Sequence, residues 1–407
     1  MTISIITGTQ LAIDGGRPIR ERPFAPWPHF TRDEIETVMS VLESGKVNYW
    51  TGQEGRLFEK EYAESIGTKY AIAVANGTVG LELALYAIGI GPGDEVVVTP
   101  RSFVASASCV VMRGAIPVFA DVDADSQNLS AETIARVLSP RTRAIVVVHL
   151  AGWPCDMDSI TVLARDHGLK VIEDCAQAHG ASYKGRSVGS LGAINAFSFC
   201  QDKILTTGGE GGLVSTNDEE LWDRAWSFKD HGKNYAAVYK RAHPPGFRFL
   251  HESFGTNWRL TEMQSALGRV LLGKLPARVA RRRESAAILT SAFSRISSLR
   301  VTIPPEEIGH AYYKYYVFVR PENLKSDWSR DRIMEAINAE GVPCLAGYRE
   351  MYLEKAFPEE WRPSQPLPVT QCLSETGLVF LVHSTLSDAD MLDTCRAVEK
   401  VMEAATR

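Results

Sequence analysis

A chain of 407 residues can bury one large core and a smaller one. Its 45% hydrophobic and 23% charged residues suit a globular protein and exclude general disorder. The net charge of -5 lacks the basic excess of a nucleic-acid binder, so no nucleic-acid partner is expected. Seven cysteines stand singly without a CxxC pair, which predicts neither a disulfide framework nor a metal site. The start MTISIITG has no basic leader pattern, and no stretch approaches the roughly 18 apolar residues of a membrane span. A soluble cytoplasmic protein is the expectation.

In chain order, the first thirty residues form an irregular arm containing the proline-rich run RPFAPWPHF. Thr31 and Glu34 then match a capping box and predict a helix start. Glu59 and Glu61, further along, read as a solvated helix face. Nearly continuous apolar runs follow at 71–75, 95–99, 116–120, 144–150 and 170–174, separated by stretches of helical periodicity. Such alternation predicts an α/β fold whose mostly parallel sheet is buried on both faces. Beyond residue 257 the texture changes to long helices (TEMQSALGRVLLGKL, then ARRRESAAILTSAF), an aromatic strand at 312–319, a helix near 329–340 and a last helix from Asp388. The expected division is a large domain over 1–265, including the arm 1–30, and a smaller α+β domain over 266–407.

Three segments could carry chemistry. In VANGTVGLELAL a strand passes through Asn76-Gly77-Thr78 straight into a helix, so free N–H groups and a hydroxyl could cradle a phosphate; a plain structural turn fits equally well. In KVIEDCAQAHG, Asp174 sits at the C-terminal end of a buried strand, where open α/β sheets bind ligands. A carboxylate there needs a cationic partner, such as a protonated pyridine nitrogen, unless it only caps the next helix. In AFSFCQDKILTTGGEGG, Lys203 precedes a glycine-rich turn whose Gly208, Gly209, Gly211 and Gly212 permit positive φ, and Ser198 offers a hydroxyl. A lysine in a crevice can act as a Schiff-base nucleophile, although most lysines are simply solvated. His179, beside Gln177, reads as either a substrate-facing or a core histidine.

With HLAGWPCDMDSI, TPRSFVASA and GTNWRLTEMQSALG, these blocks stand in the order found in the DegT/StrS-type sugar aminotransferases of the fold type I pyridoxal-phosphate enzymes, which the chain resembles from about Phe24 to its end. The resemblance implies a fold type I aminotransferase that uses pyridoxal 5'-phosphate, passing through pyridoxamine 5'-phosphate. It makes Lys203 the catalytic and cofactor-bearing lysine, with Asp174 on the pyridine nitrogen, Gln177 on the phenolic oxygen and Phe103 on the ring face. Gly77, Thr78 and Ser198 would hold the phosphate, joined by Asn257 from a second copy, so a homodimer with its active site at the subunit interface is implied. Trp50, His179, His310, Tyr313 and Tyr348 would face the substrate. The implied partners are a keto-sugar, nucleotide-linked and used in polysaccharide or glycoside biosynthesis, and an amino donor, glutamate or glutamine.

Lysine at 203 separates the chain from related dehydratases that carry histidine there. The N-terminal GGRPIRERPFAPWP and the segment GYREMYLEKAF are similar to a cyclitol and aminohydroxybenzoate subgroup, which remains an alternative. A non-catalytic regulatory relative is a second. The chain departs from the usual pattern at Asn76 (commonly serine), at Gln201-Asp202, at the doubled Gly208-Gly209, and at Gly347-Tyr348, where histidine is frequent before the tyrosine.

Overall fold

The computed structural model describes residues 10–242 and 249–407; the first nine residues of the arm, with the MTISIITG start, lie outside the described residues. The five apolar runs become strands Tyr70–Val74, Glu95–Val98, Ile116–Phe119, Thr142–Val148 and Lys170–Asp174. Two more, Ile194–Ser198 and Gly212–Thr216, complete a seven-stranded sheet. Its order is 70–74, 212–216, 194–198, 170–174, 142–148, 95–98, 116–119. Only strand Gly212–Thr216 runs antiparallel to its neighbours; the remaining pairings are parallel. Val96, Val97 and Val98 are fully buried, as are Ile145, Val146 and Val147, because crossover helices cover both faces.

A smaller antiparallel sheet of Leu299–Arg300, Tyr315–Val319, Gly377–Phe380 and Cys344–Ala346 forms the C-terminal core with helices Arg330–Ala339 and Asp388–Ala405. Among the described residues no helix is long and apolar enough to cross a membrane.

Three expectations need correction. The two helices expected after residue 260 are one, Glu262–Phe293, which continues through Pro276 and across the expected boundary at 265/266. Pro276 is exposed, so water can satisfy the carbonyl its ring cannot serve, while buried Leu275 and Val279 pin both sides. The arm, grouped above with the large domain, packs on the C-terminal one: Leu11, Ile19 and Phe24 join that core. The Glu340 carboxylate accepts the N–H groups of Ala12 and Ile19 and pairs with Lys400.

The third concerns Glu59 and Glu61, which are not a solvated face. Glu59 accepts from Ala73 N (2.9 Å) and the Tyr49 hydroxyl (3.1 Å), and Glu61 takes a bidentate bond from Arg269. Periodicity could not see these partners because Tyr49, Ala73 and Arg269 arrive from other segments.

At the expected helix start, Thr31 N donates to Glu34 at 2.9 Å. Glu34 also joins two helices. Fully buried, it pairs with Lys274 (2.9 Å) and Arg278 (3.1 Å) of the long helix. In Glu34→Ala, Arg278 loses its carboxylate while Lys274 keeps Asp33 at 2.7 Å, and the expected cost in urea unfolding is about 3 kcal/mol; a loss below about 1 kcal/mol would reduce Glu34 to a simple cap.

Candidate active site

A cavity of about 720 Å³ opens along the C-terminal ends of the parallel strands, lined by Gly77, Thr78, Phe103, Asp174, Gln177, Ser198, Lys203 and Tyr348 among others. Thus all the expected cofactor contacts except Asn257 meet around one space, with Tyr348 from the expected substrate set.

Asp174 ends its strand at the cavity floor, 4% exposed. Ser106 Oγ donates to its Oδ2 at 2.8 Å and Ala176 N to Oδ1 at 3.1 Å. Among the described residues it forms no ion pair. Burial therefore raises its pKa, although the two bonds and the Lys203 charge pull the other way.

On one wall, strand Tyr70–Val74 passes through Asn76 into helix Gly77–Ala87. The Asn76 side chain accepts from Val79 N at 3.0 Å, leaving the Gly77 and Thr78 N–H groups without intrahelical acceptors. A Cβ on Gly77 would lie 2.5 Å from Ser198 Cβ, so only glycine lets this turn approach the Ser198 strand. The result is a cradle of N–H and hydroxyl donors at a helix N-terminus, suited to a phosphate.

Opposite lies Lys203, its side chain 14% exposed. Its Nζ is 3.4 Å from Asp202 Oδ1 and 5.0 Å from the centre of the Tyr313 ring. The turn behind it runs through Gly208 and Gly209 at φ 87° and 131°. Phe103 presents an aromatic face that is 60% exposed at the cavity. Gln177 Oε1 accepts from Ala151 N (2.9 Å) and its Nε2 donates to the Tyr348 hydroxyl (3.2 Å).

Other expected site residues lie elsewhere. His179 is fully buried between the Tyr62 hydroxyl (2.9 Å) and the Ser198 carbonyl (2.8 Å), and burial pushes its pKa down to about 4. With both ring nitrogens engaged it is a neutral core histidine, not a substrate-facing one. His310 accepts from Tyr312 N and stacks on the Tyr312 ring at 3.8 Å, its pKa lowered by burial to about 3. Trp50 donates to Asp230 (2.8 Å) beneath the Lys233 amine, away from the cavity. Tyr313 stands behind Lys203, donating to Asp202. Asn257 is exposed and bridges backbone to Asp230, outside this cavity.

Sequence reading missed Ser106 and Arg101. Ser106 lies four residues from Ser102 in TPRSFVASA, one helical turn, and that spacing was the available signal. Arg101 is fully buried and fixes the Tyr348 carbonyl (2.7 Å), Ser374 and Gln127. Nothing local in the sequence announces those partners. His149, Glu173 and Cys175 also cluster, but Glu173 already accepts from His149 and from the N–H groups of Gly189, Leu191 and Gly192, so the group is structural.

A buried carboxylate awaiting a cation, a phosphate cradle, an exposed aromatic face and a lysine amine fit pyridoxal 5'-phosphate in the chemistry of every donor. Known proteins of similar sequence and structure agree. Residues 28–399 match the DegT/DnrJ/EryC1/StrS aminotransferase family. GDP-perosamine synthase of Caulobacter vibrioides is 36% identical over 380 residues, 92% of this chain and 97% of that protein. L-glutamine:2-deoxy-scyllo-inosose aminotransferase of Streptoalloteichus tenebrarius is 33% identical over 417 residues, 96% of this chain and 97% of that protein. The X-ray structure of the aminotransferase from Psychrobacter cryohalolentis superposes with a TM-score of 0.93 at 56% identity, covering 94% of this chain and 99% of that one. On this agreement of site, fold and sequence, the chain belongs to the DegT/DnrJ/EryC1/StrS aminotransferase family and is a fold type I, pyridoxal-phosphate-dependent aminotransferase.

Proposed function

We propose that the protein transfers an amino group from glutamate or glutamine to a keto-sugar, nucleotide-linked and destined for polysaccharide or glycoside biosynthesis. The observation that carries this reading is the buried Asp174, unpaired among the described residues, facing the same cavity as the Lys203 amine. The bound cofactor supplies an electron sink that stabilises negative charge on the carbon being aminated.

In this reading Asp174 holds the protonated ring nitrogen and Gln177 the phenolic oxygen, while Phe103 covers the ring face and fixes its tilt. Gly77, Thr78 and Ser198 bind the phosphate, together with the partner's Asn257 in a homodimer. Lys203 holds the cofactor covalently and, once released, moves a proton between the cofactor C4' atom and the substrate carbon. Tyr348, hydrogen-bonded to Gln177, stands where the acceptor enters. We retain as proposals a cofactor-binding part up to about residue 265 with a smaller part beyond it, and a cytoplasmic location, in keeping with seven free thiols.

A second reading has its own support. Besides Lys203, the charged residues lining the cavity are Asp174, Asp202 and Glu210, all acidic. A nucleotide diphosphate would need cations from the partner subunit, whereas an uncharged cyclitol ketone would not. Loaded enzyme with L-glutamate or L-glutamine should be offered nucleotide keto-sugars and 2-deoxy-scyllo-inosose, and the aminated products weighed. Amination of a nucleotide keto-sugar is expected; amination of inosose alone would replace the sugar reading by the cyclitol one.

Gly77→Ala pushes a methyl against Ser198, which at about 1–3 kcal/mol of overpacking predicts roughly ten- to hundredfold weaker pyridoxal-phosphate binding by titration. Unchanged affinity would remove the cradle from the phosphate site.

A further inference from the structure

A closed circuit of contacts surrounds Lys203, and it begins in the N-terminal arm. The indole N–H of Trp27 donates to the Lys203 carbonyl at 3.1 Å. The Trp27 ring stacks on His383 at 5.9 Å and lies 5.2 Å from the Arg282 guanidinium. Arg282 Nη1 donates to the carbonyls of Tyr312 and Tyr313, both at 3.2 Å. The Tyr313 hydroxyl donates to Asp202, whose Oδ1 lies 3.4 Å from the Lys203 amine. Backbone, ring, guanidinium, hydroxyl and carboxylate thus return to the residue they started from.

Two members sit where stability alone would not put them. Arg282 is 1% exposed, has no acidic partner among the described residues, and its Nε finds no acceptor. A buried cation so placed is costly unless an aromatic face and carbonyls offset it, which Trp27 and the two tyrosine carbonyls do. Tyr312 holds φ at 50°, a left-handed conformation that costs a non-glycine residue energy. That turn delivers the Tyr313 hydroxyl to Asp202, the residue next to Lys203.

We propose that Trp27 and Asp202 are positioning residues for Lys203, the first fixing its backbone and the second its amine, so that the N-terminal arm is part of the catalytic apparatus. A lysine side chain surrenders rotamer freedom when held in one geometry. Anchoring both ends in advance removes that cost from the step in which the amine meets the cofactor. The proposal rests on Lys203 being the cofactor lysine.

Trp27→Phe keeps a ring for Arg282 and His383 but deletes the N–H. Capture of pyridoxal 5'-phosphate by the cofactor-free protein, followed by visible absorbance, is expected to slow about three- to tenfold, the worth of one hydrogen bond. Affinity for pyridoxamine 5'-phosphate, which makes no bond to Lys203, should not change. Tyr313→Phe, which frees Asp202, should slow capture similarly. The double variant should lose less than the product of the two, since either break opens the circuit. Wild-type capture in Trp27→Phe, or an equal loss of pyridoxamine-phosphate affinity, overturns the proposal while leaving the cofactor lysine intact. Wild-type capture in Lys203→Ala overturns the reading beneath it as well. Trp27→Ala, which uncovers Arg282, serves as the folding control through its melting temperature.

Discussion

Lys203→Ala is expected to lose turnover by roughly 10⁴-fold or more, because the proposed nucleophile and proton carrier are removed together. The visible absorbance of covalently held cofactor should vanish, and borohydride should no longer fix the cofactor to the protein. Pyridoxamine 5'-phosphate should still bind, since Asp174, Ser198 and the helix start at Gly77 are untouched. Stability should change by less than about 1 kcal/mol, because the Asp202 partner is 49% exposed and screened by water. Lys203→Arg restores the charge beside Asp202 but not a group that can lose its proton, so it should be equally inactive. Turnover by either variant, with substrate and loaded cofactor present, would move the chemistry to another residue.

Asp174→Asn is expected to act in opposite directions on the free and the loaded protein. Burial raises the Asp174 pKa above its ordinary 3.8, only partly opposed by Ser106 and Ala176. As pH rises, the unfolded chain therefore ionises first, and stability falls between 3.8 and the higher folded value. At neutral pH the charged carboxylate is a penalty in the cofactor-free protein, and asparagine removes it, raising the melting temperature. In the proposed loaded enzyme the carboxylate gains its cation from the cofactor ring. Breaking such a buried pair costs about 3–5 kcal/mol, so cofactor affinity should fall roughly 10²- to 10³-fold, and turnover with it. The gain in melting temperature on loading wild type should accordingly grow from pH 4 to pH 7. A cofactor-free Asp174→Asn protein that melts below wild type would show that the carboxylate is wanted as a turn cap.

The parts of this protein that the sequence determines are those set by chain-local rules. Short, β-branched apolar runs alternating with helical stretches fit strands covered on both faces, so the parallel sheet and the position of Asp174 at a strand end are readable directly. The close approach at Gly77 and the turn through Gly208 and Gly209 follow from glycine's missing side chain and its freedom of φ. Motif order adds the family, and through it the roles proposed for Gln177 and Phe103.

The tertiary structure decided what depends on partners far apart in the chain. Only the folded chain shows that Glu34, Glu59 and Glu61 are held by other segments, that a helix continues through Pro276, and that the arm docks on the C-terminal core. The two buried histidines illustrate the limit: a histidine beside a cofactor motif has the same local sequence whether its ring meets substrate or the Ser198 carbonyl. Likewise the circuit from Trp27 through Arg282 and Tyr313 to Asp202 joins four segments whose proximity no local spacing encodes. Periodicity reports which face of an element is buried; it is packing and solvation, settled only when the elements meet, that choose each charge's partner.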